Sequence, residues 1–290
     1  MSQLATWQIV PNEYDEICSW LAIDRSEEGA KATHPFVLLY APDISPIKDE
    51  PVKVSLRVYG VVESLSISPT GNYTGRKESA PRAVQFVSLT AGSFPDAFRV
   101  QLESIRDIRS YVGTVLGCTV EDSTRKPGTI YIQRMVFTKV RNRGAPMELV
   151  RSVRRDAATK PKSAINFGDD PHGWTSEIKN DWVVTHKLST GVYLEGGRAV
   201  KKPYSVIRPG DFVEVVCTVE ITKFRKRSGW GTEARLILQE VLRVCDKDVV
   251  QIAQPPAPEP EPVNGDEAFV NSLFRLWADA DTVDPNAMEG

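Results

Sequence analysis

The chain has 290 residues, 41% of them hydrophobic and 26% charged, with a formal net charge of −2. That length is long for a single domain, so two domains, or one with extensions, are expected. No apolar run reaches the ~18 residues of a membrane-spanning helix, and MSQLATWQIVPNEYDE has neither the basic start nor the apolar core of a secretory signal. An intracellular protein, nuclear or cytoplasmic, is the expectation. The charge is divided unevenly: residues 255–290 hold eight acids and one base, a net of −7, which leaves +5 for the rest of the −2 chain. A basic body with an acidic tail points towards a polyanionic partner.

Residues 11–21 read as a helix. Pro11 suits a first turn, and Tyr14, Ile17, Cys18 and Leu21 follow i, i+3, i+4, i+7 spacing. HPFVLLYAP then reads as a buried strand. In VKVSLRVYGVVESLSI (52–67), Val52, Val54, Leu56 and Val58 alternate with Lys53, Ser55 and Arg57, a period of two. SPTGNYTGRKESAP (68–81) is a loop by its Pro, Gly, Asn and Ser content. RAVQFVSLT (82–90) is the next strand, and residues 98–123 are expected to hold a short helix followed by a strand from about Val112 to Val120. TIYIQRMVFTKV (129–140) is again a strand.

Residues 141–173 form a basic connector in which MELVRSVRR can make a short helix. A second strand-rich stretch follows. DFVEVVCTVEITKF and ARLILQEVLRV make a long hairpin rich in β-branched residues. QPPAPEPEP is an extended Pro-rich linker. Beyond it, GDEAFVNSLFRLWADAD (265–281) places Phe269, Leu273, Leu276, Trp277 and Ala280 on one helical stripe. The domain reading is therefore 1–140 (β-rich), 141–173 (connector), 174–250 (second β-rich domain) and 251–290 (acidic tail with an amphipathic helix). The recurrence of alternating strand, basic–aromatic loop and alternating strand in both halves raises a duplication.

Catalytic and metal chemistry find little footing. Cys18, Cys118, Cys217 and Cys245 form no C-x-x-C pair, so free thiols are expected, and His34, His172 and His186 lack metal-ligand spacing. DDPHGW (169–174) gathers Asp169, Asp170 and His172, but that run is also an ordinary polar turn. GTVLGC and LEGG lack the lysine and hydroxyl of a phosphate-binding loop, and no nucleophile elbow is present. A non-enzyme without cofactor or metal is expected.

The hairpin tip ITKFRKRSGWGTEA (221–234) carries the main signal. Lys223, Arg225, Lys226 and Arg227 can neutralise phosphates, while Phe224 and Trp230 can stack on bases. The competing reading is a solvated tip with Trp230 folded back onto its sheet. GNYTGRK offers a lesser version of the same pattern in Tyr73, Arg76 and Lys77. The C-terminal stripe of Phe269, Leu273, Leu276 and Trp277 can enter a partner's groove or dock on its own chain.

PGDFVEVVCTVEITKFRKRSGWGTEARLILQEVLRV (209–244), with VKVSLRVYGVVESLSI and its hairpin through RAVQFVSL (52–89), resembles OB-fold proteins that bind single-stranded DNA, of the replication protein A and bacterial single-strand-binding type. The resemblance implies a mostly β fold with one or two OB-like barrels. It implies stacking by Trp230, Phe224 and Tyr73, and phosphate contacts from Arg225, Lys226, Arg227, Arg76 and Lys77. The acidic tail resembles the partner-recruiting tails of such proteins. The expected ligand is single-stranded nucleic acid, DNA before RNA, bound with little base specificity. The alternative is a β-sandwich interaction or scaffold module, in which the hairpin aromatics and cations would lie scattered at a loop end.

Overall fold

A computed structural model describes residues 9–11, 13–24, 36–48, 50–121, 126–140, 163, 165–226 and 229–252. These belong, Ile252 apart, to one compact unit, Met1–Gln251. Its elements in chain order are α1 (Tyr14–Trp20), β1 (Leu21–Ile23), β2 (Phe36–Tyr40), β3 (Ser55–Ser66), β4 (Val84–Thr90), α2 (Pro95–Leu116), β5 (Val120–Glu121), β6 (Ile130–Met135), β7 (Thr138–Lys139), β8 (Trp182–Val183), β9 (Ser189–Tyr193), β10 (Ala199–Lys201), β11 (Phe212–Lys226), β12 (Gly229–Cys245) and α3 (Lys247–Ile252).

The fold is mostly β, and its spine is the β11–β12 hairpin. β11 pairs with β3, β3 with β4, β4 with β6, β6 with β12, and β12 returns to β11. Five strands thus close a circuit, an OB-like barrel. A register shift between Val216 and Cys217 leaves Gln239 as an extra residue on β12. Such bulges coil a long strand enough to bring a sheet round on itself. β2 continues along the β11 edge beyond β3. β5 and β9 flank β6 along the β12 edge.

This circuit replaces the expected pair of β-rich domains. Residues 52–140 supply β3, β4 and β6, while residues 174–250 supply β11 and β12. Neither set closes without the other, because among the described residues the outer edges of β3 and β6 pair with β11 and β12. The two halves are therefore complementary parts of one barrel rather than a barrel each. The same circuit replaces the sandwich architecture of the alternative reading.

Period-two alternation fills the interior. Val213, Val215, Cys217, Val219 and Ile221 of β11 meet Leu56 and Val58 of β3, Val87 and Leu89 of β4, Ile130 and Ile132 of β6, and Leu236 and Leu238 of β12. Burial pushes the Cys217 thiol up to about 12, so it serves as a small core residue.

α2 runs 22 residues, through the region expected to become a strand. Phe98, Ile105, Ile108 and Val112 are buried against the barrel at helical spacing. Pro95 sits in the first turn, and Gly117 ends the helix in the left-handed region at φ 62°. The β-branched run around Val112 and Val115 favours a strand locally, but the buried stripe overrides that preference. The helix expected near Tyr14 forms as α1. Tyr14 Oη lies 3.0 Å from Thr114 Oγ1, and Tyr111 donates to the Leu21 carbonyl at 2.8 Å, fastening α1 and β1 to α2.

A satellite core lies under the 68–83 loop, where Tyr73, Ala80, Ala83, Val136, Phe137, Ile178 and Val184 pack together. Of the expected basic connector, residues 141–162 and 164 lie outside the described residues. Its end is an ordered turn in which Asp170 accepts from the backbone N–H of Trp174 and Thr175 and from the Thr175 hydroxyl. DDPHGW is thus a capped polar turn.

One buried ionisable group stands on the outer side of β11. Glu214 is 3% exposed, and its carboxylate receives Arg57 at 3.1 Å, Tyr59 Oη at 2.5 Å and Tyr193 Oη at 3.2 Å. Burial and the bond to Glu214 push the Tyr59 phenol up to about 12 from 10.0. A pKa raised by folding contributes stability that is complete below the unfolded value and lost as pH climbs through the folded one. The wild type should therefore lose stability more steeply than Tyr59→Phe between pH 10 and about 12. Urea midpoints across that window provide the measurement, and parallel curves would refute this role for Tyr59.

Candidate nucleic-acid interface

The hairpin tip rises past the barrel between β2 and β5. Directly opposed residues share a face, and the register sets Arg225 against Trp230, Phe224 against Gly231 and Lys223 against Thr232. Lys223, Arg225 and Trp230 therefore lie on one face, continuing the row of Val219 and Ile221 beyond the end of the core. Trp230 is 66% exposed, so it does not fold back onto the sheet. Lys223 Nζ stands 5.2 Å from the centre of the Phe36 ring, a cation–π contact that holds the ammonium beside the same face.

Phe224 lies on the opposite face, so it does not share one stacking surface with Trp230 as the resemblance implied. Its ring crosses the strand over Gly231, where an added Cβ would come within 2.7 Å of Phe224 Cζ and 2.5 Å of Glu121 Oε1. Gly231 is thus the residue that admits the ring, which packs between strands. Lys226 opposes Gly229 at the end of the ladder, and Arg227 lies outside the described residues.

The lesser loop changes character. Tyr73 is 4% exposed and stacks edge-on to Phe137 at 5.0 Å, so its ring belongs to the satellite core and is not presented for stacking. Lys77 pairs with Asp181 at 2.8 Å, while Arg76 is exposed. The Tyr73 hydroxyl is buried without a hydrogen-bond partner among the described residues, a costly arrangement. Tyr73→Phe should leave stability unchanged or raise it by up to ~1 kcal/mol and leave oligonucleotide affinity unaltered. Tyr73→Ala should cost ~3–5 kcal/mol. Urea denaturation of both variants tests this pair of outcomes. Phe269, Leu273, Leu276 and Trp277 lie outside the described residues.

Sequence reasoning missed the outer surface of the barrel. One level of the circuit runs Ser66, Phe86, Gln133, Ile237, Thr218, each opposite the next. Their neighbours Val87 and Ile132 are fully buried, so this row faces outward. Phe86 and Tyr131, on adjacent strands, stack at 5.4 Å with their planes 28° apart. Both are half-buried and form a flat aromatic platform on β4 and β6. The signal was present in the sequence: an aromatic ring at the solvent-side phase of two strands whose other phase is aliphatic.

Beside this platform, β6 and β12 meet at the single bridge of Gln133 and Ile237. A cleft of about 420 Å3 opens there, with Arg134, His186, Lys187 and Arg235 among its lining. Arg134 donates to the His186 carbonyl at 2.7 Å, and burial lowers its pKa from the usual guanidinium value. Lys187 pairs with Asp169 at 2.5 Å and Arg235 with Glu233 at 2.5 Å. Glu63, on the same side of the barrel, is held by Lys126 and by the Ser88 hydroxyl, which keep its carboxyl below the usual range. Among the described residues no helix is long and apolar enough to cross a membrane, and no group of three potential ligands could hold a metal ion.

Among solved structures, the chain is similar to gp2.5, a single-stranded DNA-binding protein encoded by bacteriophage T7. Identity is 13% and the TM-score 0.38, over 81% of this chain and 98% of that one. It is similar also to the single-stranded DNA-binding protein of bacteriophage Enc34 in complex with ssDNA, at 11% identity and a TM-score of 0.30, over 78% of this chain and 96% of that one. No family model matches the sequence, and no curated protein matches it.

Proposed function

We propose that this chain is a binding protein for single-stranded nucleic acid, DNA foremost, which it holds at the β11–β12 tip and on the outer platform of β4 and β6. The observation that carries this reading is Trp230, 66% exposed and directly opposite Arg225. An indole left in water forgoes burial that the core would reward. A base stacked on its face recovers that term, and the cations beside it neutralise the flanking phosphates. Lys223, Arg225, Lys226 and Arg227 provide the charge, with Arg76 as an outlying contact. Phe86 and Tyr131 offer a second stacking surface, sequence-tolerant because every base has a π-face.

Fluorescence anisotropy of a labelled oligo(dT) across a salt series tests the proposal, with oligo(rU) in parallel. Neutralising four phosphates of a single strand gives a log–log salt slope of about −3. Absence of binding at low salt would overturn the reading. The acidic tail enters the same experiment. Ending the chain at Gln254 removes a net −7 and leaves a body of +5. That variant should bind oligo(dT) more tightly at low salt, with the difference closing as salt rises. Unchanged affinity would remove competition between the tail and the nucleic acid, leaving Phe269, Leu273, Leu276 and Trp277 for a partner's groove or for their own chain.

A further inference from the structure

The cleft at the β6–β12 seam is lined by more than cations. Its volume of about 420 Å3 falls within the roughly 300–1,000 Å3 of small-ligand sites. Met135 and Ile237 supply apolar wall, and Gln133, Glu220, Arg235 and Gln239 supply polar atoms. Glu220 and Arg235 stand directly opposite each other on β11 and β12. Even so, the Arg235 guanidinium is engaged by Glu233, through Nε at 2.7 Å and Nη2 at 2.5 Å. Gln239 is likewise tied, donating to Thr218 Oγ1 at 3.3 Å. Burial raises the Glu220 carboxyl pKa while the charges of Arg235 and Lys53 oppose that shift. A half-buried carboxylate beside apolar walls can only accept hydrogen bonds, and it has two oxygens to satisfy.

A flat ligand with two adjacent N–H donors meets that demand. Guanine carries such an edge in N1–H and the N2 amine, and single-stranded bases are read on their Watson–Crick edges. We propose that this cleft receives a guanine base of the bound strand, with Glu220 accepting from N1–H and N2–H between Met135 and Ile237. The inference rests on the single-strand reading above and adds to it a base preference. The neutral base leaves the ionised carboxylate to be satisfied by hydrogen bonds alone, and the nearby Arg134 guanidinium offsets its repulsion of the backbone.

The test uses the full chain and short oligo(dT) strands carrying one central dG, dI or dA. The dG strand should bind about tenfold more tightly than oligo(dT). Inosine, which lacks the N2 amine, should lose most of that gain, and dA should show none. Glu220→Gln should abolish the preference for dG and leave the affinity for oligo(dT) equal or, with one repelling charge gone, slightly higher. Equal binding of dG and oligo(dT) by the wild type overturns the guanine site while the single-strand reading stands. A preference that survives in Glu220→Gln removes Glu220 from it. The inosine comparison needs no variant, so a misfolded substitution does not decide the matter. Binding of none of the strands overturns both readings.

Discussion

Trp230→Ala weakens binding of a single-stranded oligonucleotide by about 1–3 kcal/mol, roughly five- to 150-fold. The expectation follows from exposure and register together. Trp230 buries little of its own ring, so its removal leaves folding nearly intact, and the loss appears in affinity. Trp230→Phe keeps a π-face and retains most of the binding. Arg225→Ala, on the same face, lowers the salt slope by about 0.7 for the one phosphate it releases. Phe224→Ala is the discriminating control. That ring is half-buried over Gly231, so its loss lowers thermal stability and costs less affinity than loss of the exposed Trp230. If Phe224→Ala weakened binding as much as Trp230→Ala while the fold held, the choice of Trp230 as the stacking ring of the tip would be wrong. Anisotropy titration and thermal melts of the four variants, side by side, provide both readouts.

Ile132→Ala and Leu238→Ala each destabilise the protein by about 2–5 kcal/mol, and both shift the same unfolding transition. Ile132 comes from β6 and Leu238 from β12, in the two halves that read as separate domains in the sequence. Both are fully buried in one cluster. A closed circuit unfolds as a unit, because opening any strand pair exposes the core of all five. Separate domains would instead give two transitions, each sensitive to one substitution. Circular dichroism and intrinsic fluorescence should report coincident midpoints for wild type and both variants. Two resolved midpoints would break the single-barrel description.

These expectations show where local information suffices. β3 and the β11–β12 hairpin follow directly from period-two alternation, because a strand with one buried face records that burial in every second residue. α1 was legible for the same reason at helical spacing. α2 was only partly so: Val112 and Val115 favour a strand by propensity, and the length of the helix emerges only when the stripe from Phe98 to Val112 meets the barrel. Phe86 and Tyr131 could have been found by asking which strand positions carry a ring at the solvent-side phase.

The cations and rings of the hairpin tip are a property of the chain's composition, and so is the charge difference between body and tail. Which of those rings is available is not, since availability depends on partners distant in sequence. Tyr73 has the same basic neighbours as a stacking residue, yet Phe137 and Trp174 enclose it. Phe224 and Trp230 sit six residues apart, and the pairing of β11 with β12 sends them to opposite faces. Strand order is non-local in the same way. Alternation tells a strand which face to bury but not which neighbour to choose, so the union of both halves in one barrel, and the cleft at its thinnest seam, arise only from the paired edges.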